Sequence, residues 1–215
     1  MSGRPSTVVH LVRHGEVENP GQVLYGRLPG FHLSGLGLQM ADRVAGYFAN
    51  RDVSLVVASP LERAQETAAP VAASHGLGVG TDERLIEAAN HFQGMTFGVG
   101  DGSLLHPEHW RYLVNPFKPS WGEPYRQVVA RVLGAVAGAL DAAQGHEAVV
   151  VSHQLPVWAT RRFLEGRRLW HDPRRRECAL GSVTSLTYLG RDLVAISYAD
   201  PAADLSRSAG TVAGA

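Results

Sequence analysis

Residues Thr7-Val-Val-His-Leu-Val-Arg-His-Gly-Glu16 decide the fold. Residues 7–12 form a short run rich in β-branched side chains, the composition of a strand buried on both faces. The run ends in Arg13-His14-Gly15-Glu16, so a cation and an imidazole stand just past a strand's carboxyl end. In open α/β sheets that edge is where ligands bind. Two other runs repeat the pattern. Residues 53–58 lead into Ser59-Pro-Leu-Glu-Arg-Ala64, and residues 147–151 lead into Ser152-His153-Gln154. Residues 183–189 and 193–198 are predicted as a hairpin around Gly190-Arg191-Asp192.

Periodic segments between these runs predict helices. Ser34 opens the first, with Leu36, Met40, Val44 and Phe48 at four-residue spacing. In the second, Ser59 is the expected cap, Pro60 suits the first helical position and Glu62 completes a Ser-x-x-Glu box. A third is predicted over residues 124–143 on the stripe Val128, Val132, Val136, Leu140, and a fourth from near Pro156 to near Gly166. Strands alternating with helices predict a three-layer α/β/α sandwich with a mostly parallel central sheet. Residues 88–122 break the rhythm with His91, His106, His109, Trp110 and Trp121, and are read as a lid-like insert. A single domain is expected over residues 1–200. Residues 201–215, small and polar, are expected as a flexible tail.

Composition narrows the function. The 215 residues carry 20 basic and 20 acidic side chains, so no charge bias argues for nucleic acid or a membrane surface. An apolar share of 45% with 19% charged residues belongs to a folded chain. Lys118 is the single lysine, between Phe117 and Pro119, which excludes a Gly-Lys-Ser/Thr phosphate loop. Cys178 is the single cysteine, which excludes an intramolecular disulfide or a multi-cysteine metal site. With neither a long apolar span nor a leader-like start, a soluble cytoplasmic protein is expected. His91, His106 and His109 lack an acidic or cysteine partner at metal-ligand spacing, so no metal is expected. Arg174-Arg175-Arg176 reads as a solvated turn, or as a holder for an acidic substrate tail.

If the three strands are parallel neighbours, Arg13, His14, Arg63 and His153 converge on one pocket. That set suits phosphoryl transfer to a histidine. Neighbouring cations keep an imidazole unprotonated and nucleophilic. Guanidinium forks bind non-bridging phosphate oxygens and stabilise charge spread over the transition state.

With Arg13-His14-Gly15-Glu16, Ser59 to Ala64 and Ser152-His153 in order, the chain resembles the histidine phosphatase superfamily, which includes the cofactor-dependent phosphoglycerate mutases. The resemblance covers roughly residues 7–198 and implies a phosphoglycerate mutase-like fold. It makes His14 the nucleophile, and Arg13, Arg63 and His153 the phosphate pocket. It makes Glu87 the general acid and base, with Glu83 as the competitor; Glu87 is preferred because Leu85-Ile86 look like a buried anchor. Gly15, Asn19, Tyr25 and Gln154 are the substrate-binding candidates. Asn19 stands one residue closer to His14 than the family pattern, Pro124 replaces a serine, and Gln154 replaces a small residue. The insert, with Arg111 and Lys118 as the only cations between residues 88 and 125, is thinly basic for a mutase. The expected activity is therefore that of a histidine acid phosphatase-type enzyme. It would act on small phosphorylated metabolites, need no cofactor and possess neither a nucleic-acid nor a membrane partner, with a homodimer as the candidate assembly. The alternatives are mutase-type phosphoryl transfer and a non-catalytic module that binds phospho-ligands.

Overall fold

A computed structural model describes residues 5–95, 122–172 and 175–206. It contains β1 (Ser6–Arg13), α1 (Gly35–Phe48), β2 (Val53–Ala58), α2 (Glu62–Ser74), β3 (Val79–Thr81) and a single 3-10 turn (Glu83–Leu85). These are followed by α3 (Tyr125–Ala142), β4 (Glu147–Ser152), α4 (Gln154–Leu164), β5 (Val183–Leu189), β6 (Asp192–Ala199) and a terminal helical turn, α5 (Ala203–Ser206). The six strands form one sheet in the order β3-β2-β4-β1-β5-β6. The first four are parallel; β5 runs antiparallel to β1 and β6 antiparallel to β5.

The chain's direction across the sheet explains the layers. From β1 it steps towards β3, then reverses to place β4 between β2 and β1. Crossovers of one hand then put the helices of the outward and return paths on opposite faces. Accordingly, Val44, Phe48, Ala64, Ala68 and Val71 of α1 and α2 pack on Val12, Val56, Val149 and Val151. Val132, Val136, Val157 and Trp158 of α3 and α4 pack on Val9, Leu11, Val150 and Leu186. Successive strand residues alternate between the two cores, as a pleated strand requires. The point of reversal lies between β1 and β4, the place where such sheets open a crevice beyond their carboxyl ends.

Three expectations need correction. Ser59 is not the α2 cap: the helix starts two residues later, Leu61 stands at the cap without a side-chain bond, and the Ser59 hydroxyl is 2.8 Å from His153 Nε2. The Glu62 carboxylate accepts from the Gly30 N–H instead of closing a box. Residues 201–206 are not loose. Ala202 is fully buried, and Asp204 pairs with Arg43 of α1 at 3.0 Å. The short edge strand β3 was not predicted, because Gly78 and Gly80 flank Val79 and leave too little pattern to read. His106, His109, Lys118 and most of the insert lie outside the described residues, as do Arg174 and residues 207–215. Among the described residues no helix is long and apolar enough to cross a membrane, and no group of three His, Cys, Asp or Glu side chains is placed to hold a metal ion.

Candidate active site

The parallel register builds the site. Arg13 is paired with Ser152, so His14 and His153 each stand one residue past the last pair of neighbouring strands. Their rings are 5.1 Å apart between centroids. The Ser59 N–H donates to the Val151 carbonyl at 2.9 Å, which ties the end of β2 to the same edge. Arg63 follows in the first turn of α2, where the helix dipole adds positive potential.

His14 is fully buried. Its Nδ1 lies 2.7 Å from the Gly15 carbonyl oxygen. A carbonyl only accepts, so Nδ1 carries the hydrogen and Nε2 holds the lone pair of the neutral ring. That Nε2 is buried without a partner. Burial, then Arg63 and Arg13, holds His14 well below its ordinary pKa of 6.5. His153 is also held well below 6.5, by burial first and then by His14, Arg63, Arg131 and Arg13. Its Nε2 lies 2.8 Å from the Ser59 hydroxyl, and its Nδ1 is another buried atom without a partner.

Arg63 is fully buried, which is rare for a guanidinium. It donates to the Gly26 carbonyl at 2.6 Å and stacks 4.7 Å from the centroid of the Tyr25 ring. A desolvated cation–π contact of this kind contributes about 2 kcal/mol. Its Nε and Nη1 have no partner, nor has the Nε of Arg13, whose Nη1 donates to the Cys178 carbonyl at 2.8 Å. Unpaired buried cations are costly in a free protein and mark a place for an anion.

Glu87 is 4% exposed, whereas Glu83 lies on the surface. Its segment is pulled to the strand ends by two bonds. Ser152 Oγ donates to the Leu85 carbonyl at 2.7 Å, and Arg27 Nε donates to the Glu87 carbonyl at 2.6 Å. Glu87 Oε1 accepts from the Ala88 N–H, and Oε2 is buried without a partner. Burial pushes this carboxyl above its ordinary value, against the opposing pull of the Ala88 N–H, Arg63, Arg176 and Arg13.

The remaining candidates divide. Tyr25 is buried, with its ring 6.4 Å from that of His14. Gln154 opens α4 and accepts from Arg176 Nη1 at 2.8 Å. Asn19 clamps its own loop: its Nδ2 donates to the Val23 carbonyl and its Oδ1 accepts from the Val23 N–H. Gly15 is required by packing, since a Cβ there would stand 2.6 Å from the Gly37 carbonyl oxygen. Two residues at the site were not foreseen: Thr67, which accepts from the Gly15 N–H, and Arg27; of the two readings of the Arg174–Arg176 run, the solvated turn does not suit Arg176, a half-buried cation acting on Glu87. The run signalled charge, but not that Arg176 is half-buried.

Two histidines held below their ordinary pKa and two arginines with unsatisfied donors thus gather at the switch point of a parallel sheet, an arrangement suited to an oxyanion. The family model described as histidine phosphatase superfamily (branch 1) matches residues 9–201, and the chain belongs to that superfamily. It is 60% identical over 197 residues to the uncharacterised protein Rv0525 of Mycobacterium tuberculosis, covering 92% of this chain and 98% of the other. A probable phosphoglycerate mutase, GpmB of Escherichia fergusonii, is 29% identical over 81% of this chain and 83% of its own. Among solved structures, mycobacterial glucosyl-3-phosphoglycerate phosphatase Rv2419c in complex with VO3 superposes with a TM-score of 0.69 at 26% identity, covering 89% of this chain and 96% of that one. The phosphoglycerate mutase-like fold expected from the motifs is thus the fold observed, and the superfamily makes the chain a phosphatase or mutase.

Proposed function

We propose that this chain is a phosphatase that hydrolyses phosphomonoesters through a phosphohistidine on His14. The observation that carries the reading is the His14 Nε2 lone pair, fixed by the Gly15 carbonyl and buried between two arginines with unused donors. In the first step Nε2 attacks phosphorus, the P–O bond to the alcohol breaks, and protonated Glu87 delivers its proton to the leaving oxygen. Arg13, Arg63 and His153 Nδ1–H hold the non-bridging oxygens throughout. In the second step Glu87, now a carboxylate, takes a proton from water, which attacks the phosphohistidine and releases phosphate and a neutral His14. Ester and water are the only reactants consumed.

The similarity to a probable phosphoglycerate mutase supports a second reading, in which the phosphoryl group passes to another phosphoglycerate. Hydrolysis is preferred because residues 88–125 carry only Arg111 and Lys118 as cations, few for holding a phosphorylated acid acceptor against competing water. The match to a phosphatase complexed with VO3 supports the same choice. The test is phosphate release from a generic aryl phosphate. His14→Ala should lower the rate by about a thousandfold or more. Interconversion of 2- and 3-phosphoglycerate at a comparable rate, without net hydrolysis, would establish the mutase reading instead. Hydrolysis undiminished in His14→Ala would remove His14 from the mechanism.

A further inference from the structure

One carboxylate stands behind the segment that carries Glu87. Glu123 lies two residues before α3, and its side chain is 14% exposed, so water competes little for its oxygens. Oε2 accepts from Arg27 Nη2 at 2.7 Å and from Arg131 Nη2 at 3.1 Å, and Oε1 accepts from Arg131 Nε at 2.9 Å. Arg131 is thus gripped at two points, which fixes a guanidinium in plane as well as in distance. Each arginine places another donor on a backbone carbonyl of the Glu87 segment. Arg131 Nη1 donates to the Arg84 carbonyl, and Arg27 Nε to the carbonyl of Glu87 itself, both at 2.6 Å. The backbone repeats the link. The Glu123 N–H donates to the Ala89 carbonyl at 3.0 Å, Asn90 and Gly122 form an antiparallel bridge, and a Cβ on Gly122 would stand 2.6 Å from that same carbonyl oxygen.

These bonds fall where the site is least supported by regular structure. His14 and His153 stand one residue past paired strands, so the sheet fixes them. Glu87 follows the 3-10 turn (Glu83–Leu85) and belongs to neither helix nor strand. Its backbone direction is therefore set by what holds its carbonyls. Those of Arg84 and Glu87 are gripped from the one Glu123 carboxylate, with Ser152 holding that of Leu85 between them. A proton donor must come within hydrogen-bond reach of the leaving oxygen, and a misplacement of about 1 Å can cost on the order of a hundredfold. The Arg131 charge also bears on His153, an effect shared by all esters.

We propose that Glu123 is a positioning residue for the general acid: through Arg27 and Arg131 it sets where the Glu87 carboxyl meets the leaving oxygen. The proposal rests on the phosphatase reading with Glu87 as the acid. Its test is kcat/KM for phosphate release from β-glycerophosphate and from nitrophenyl phosphate, the first leaving as an alkoxide that needs a proton and the second as a phenolate that does not. Glu123→Gln keeps one acceptor oxygen but turns an NH2 group towards a guanidinium. It should lower the alkyl ester about ten- to a hundredfold and the aryl ester much less, so that the alkyl-to-aryl ratio falls by about tenfold. Effects shared by both esters cancel in that ratio. In a Glu87→Gln background the same substitution should add little further loss on the alkyl ester, because no acid is left to position. Arg27→Met should act in the same direction and serves if Glu123→Gln does not fold. Equal losses on the two esters, no loss on the alkyl ester, or full additivity with Glu87→Gln overturns the proposal and leaves Glu123 a brace of the fold alone. Failure of the underlying reading looks different and takes the proposal with it: the wild type releases phosphate from neither ester, or Glu87→Gln by itself costs the two esters equally.

Discussion

At the scale of single residues, environment assigns opposite protonation states to two buried groups. Burial and two arginines favour the neutral ring of His14, and burial favours the protonated form of Glu87. The proposed mechanism requires neutral His14 and protonated Glu87. The acid limb of the kcat/KM profile should therefore lie below the ordinary histidine value of 6.5, and the basic limb above the ordinary carboxyl value of 4.5. Arg176 pulls the Glu87 pKa down, so Arg176→Ala should move the basic limb to higher pH; a limb that stays put would show that Glu87 does not titrate there. Glu87→Gln should cost about 10²–10⁴-fold on an alkyl phosphate. It should cost much less on an aryl phosphate, whose leaving oxygen needs no proton. Equal losses on both would mean that Glu87 is not the acid.

At the scale of elements, the site is held by backbone contacts that leave little room. Gly15 and Gly37 bring the turn after β1 against the first turn of α1. A Cβ on Gly37 would stand 2.0 Å from the Glu16 carbonyl oxygen. Gly37→Ala should therefore shift both elements and lower stability by about 1–3 kcal/mol, read as a drop in urea midpoint. An unchanged midpoint would mean that the approach is looser than described. A second brace is the Glu123 carboxylate, which accepts from Arg27 Nη2 at 2.7 Å and from Arg131 Nε at 2.9 Å. Because Arg27 also holds the Glu87 carbonyl, this brace joins the loop after β1, the Glu87 segment and the start of α3. Asn19 belongs to the same scale, its amide holding the loop through Val23.

At the scale of the whole molecule, stability and function pull on the same groups. His14, His153 and His171 all have pKa values lowered in the fold, so between each folded value and 6.5 the unfolded chain binds more protons. Their contribution is complete above 6.5 and is lost as pH falls, each with a slope of up to about 1.4 kcal/mol per pH unit. Glu87 and Asp200 have the opposite sign, their raised pKa values favouring the fold at lower pH, as does His32, but His32 is fully exposed and screened by solvent. The urea midpoint should thus be clearly lower near pH 5.5 than near pH 7.5. A midpoint that is flat or rises on acidification would contradict the buried neutral histidines.

The sequence by itself determined the strands that carry the chemistry, because strand composition and an abrupt polar end can be read locally: Arg13-His14, Ser59 to Arg63 and Ser152-His153 need no neighbour to be recognised. It also ranked Glu87 above Glu83 through the apolar pair before it, and Leu85 is fully buried in the fold. Only the tertiary structure decided what depends on distant partners. Ser59 serves His153 rather than its helix, because β2 and β4 are adjacent. Asn19 is committed to Val23, and Arg176 is drawn inward by Gln154 and His171 while its neighbour Arg175 stays exposed. Hydrogen-bond partners and desolvation are properties of assembled surroundings, so packing sets the partners of polar side chains where local pattern could only nominate the residues.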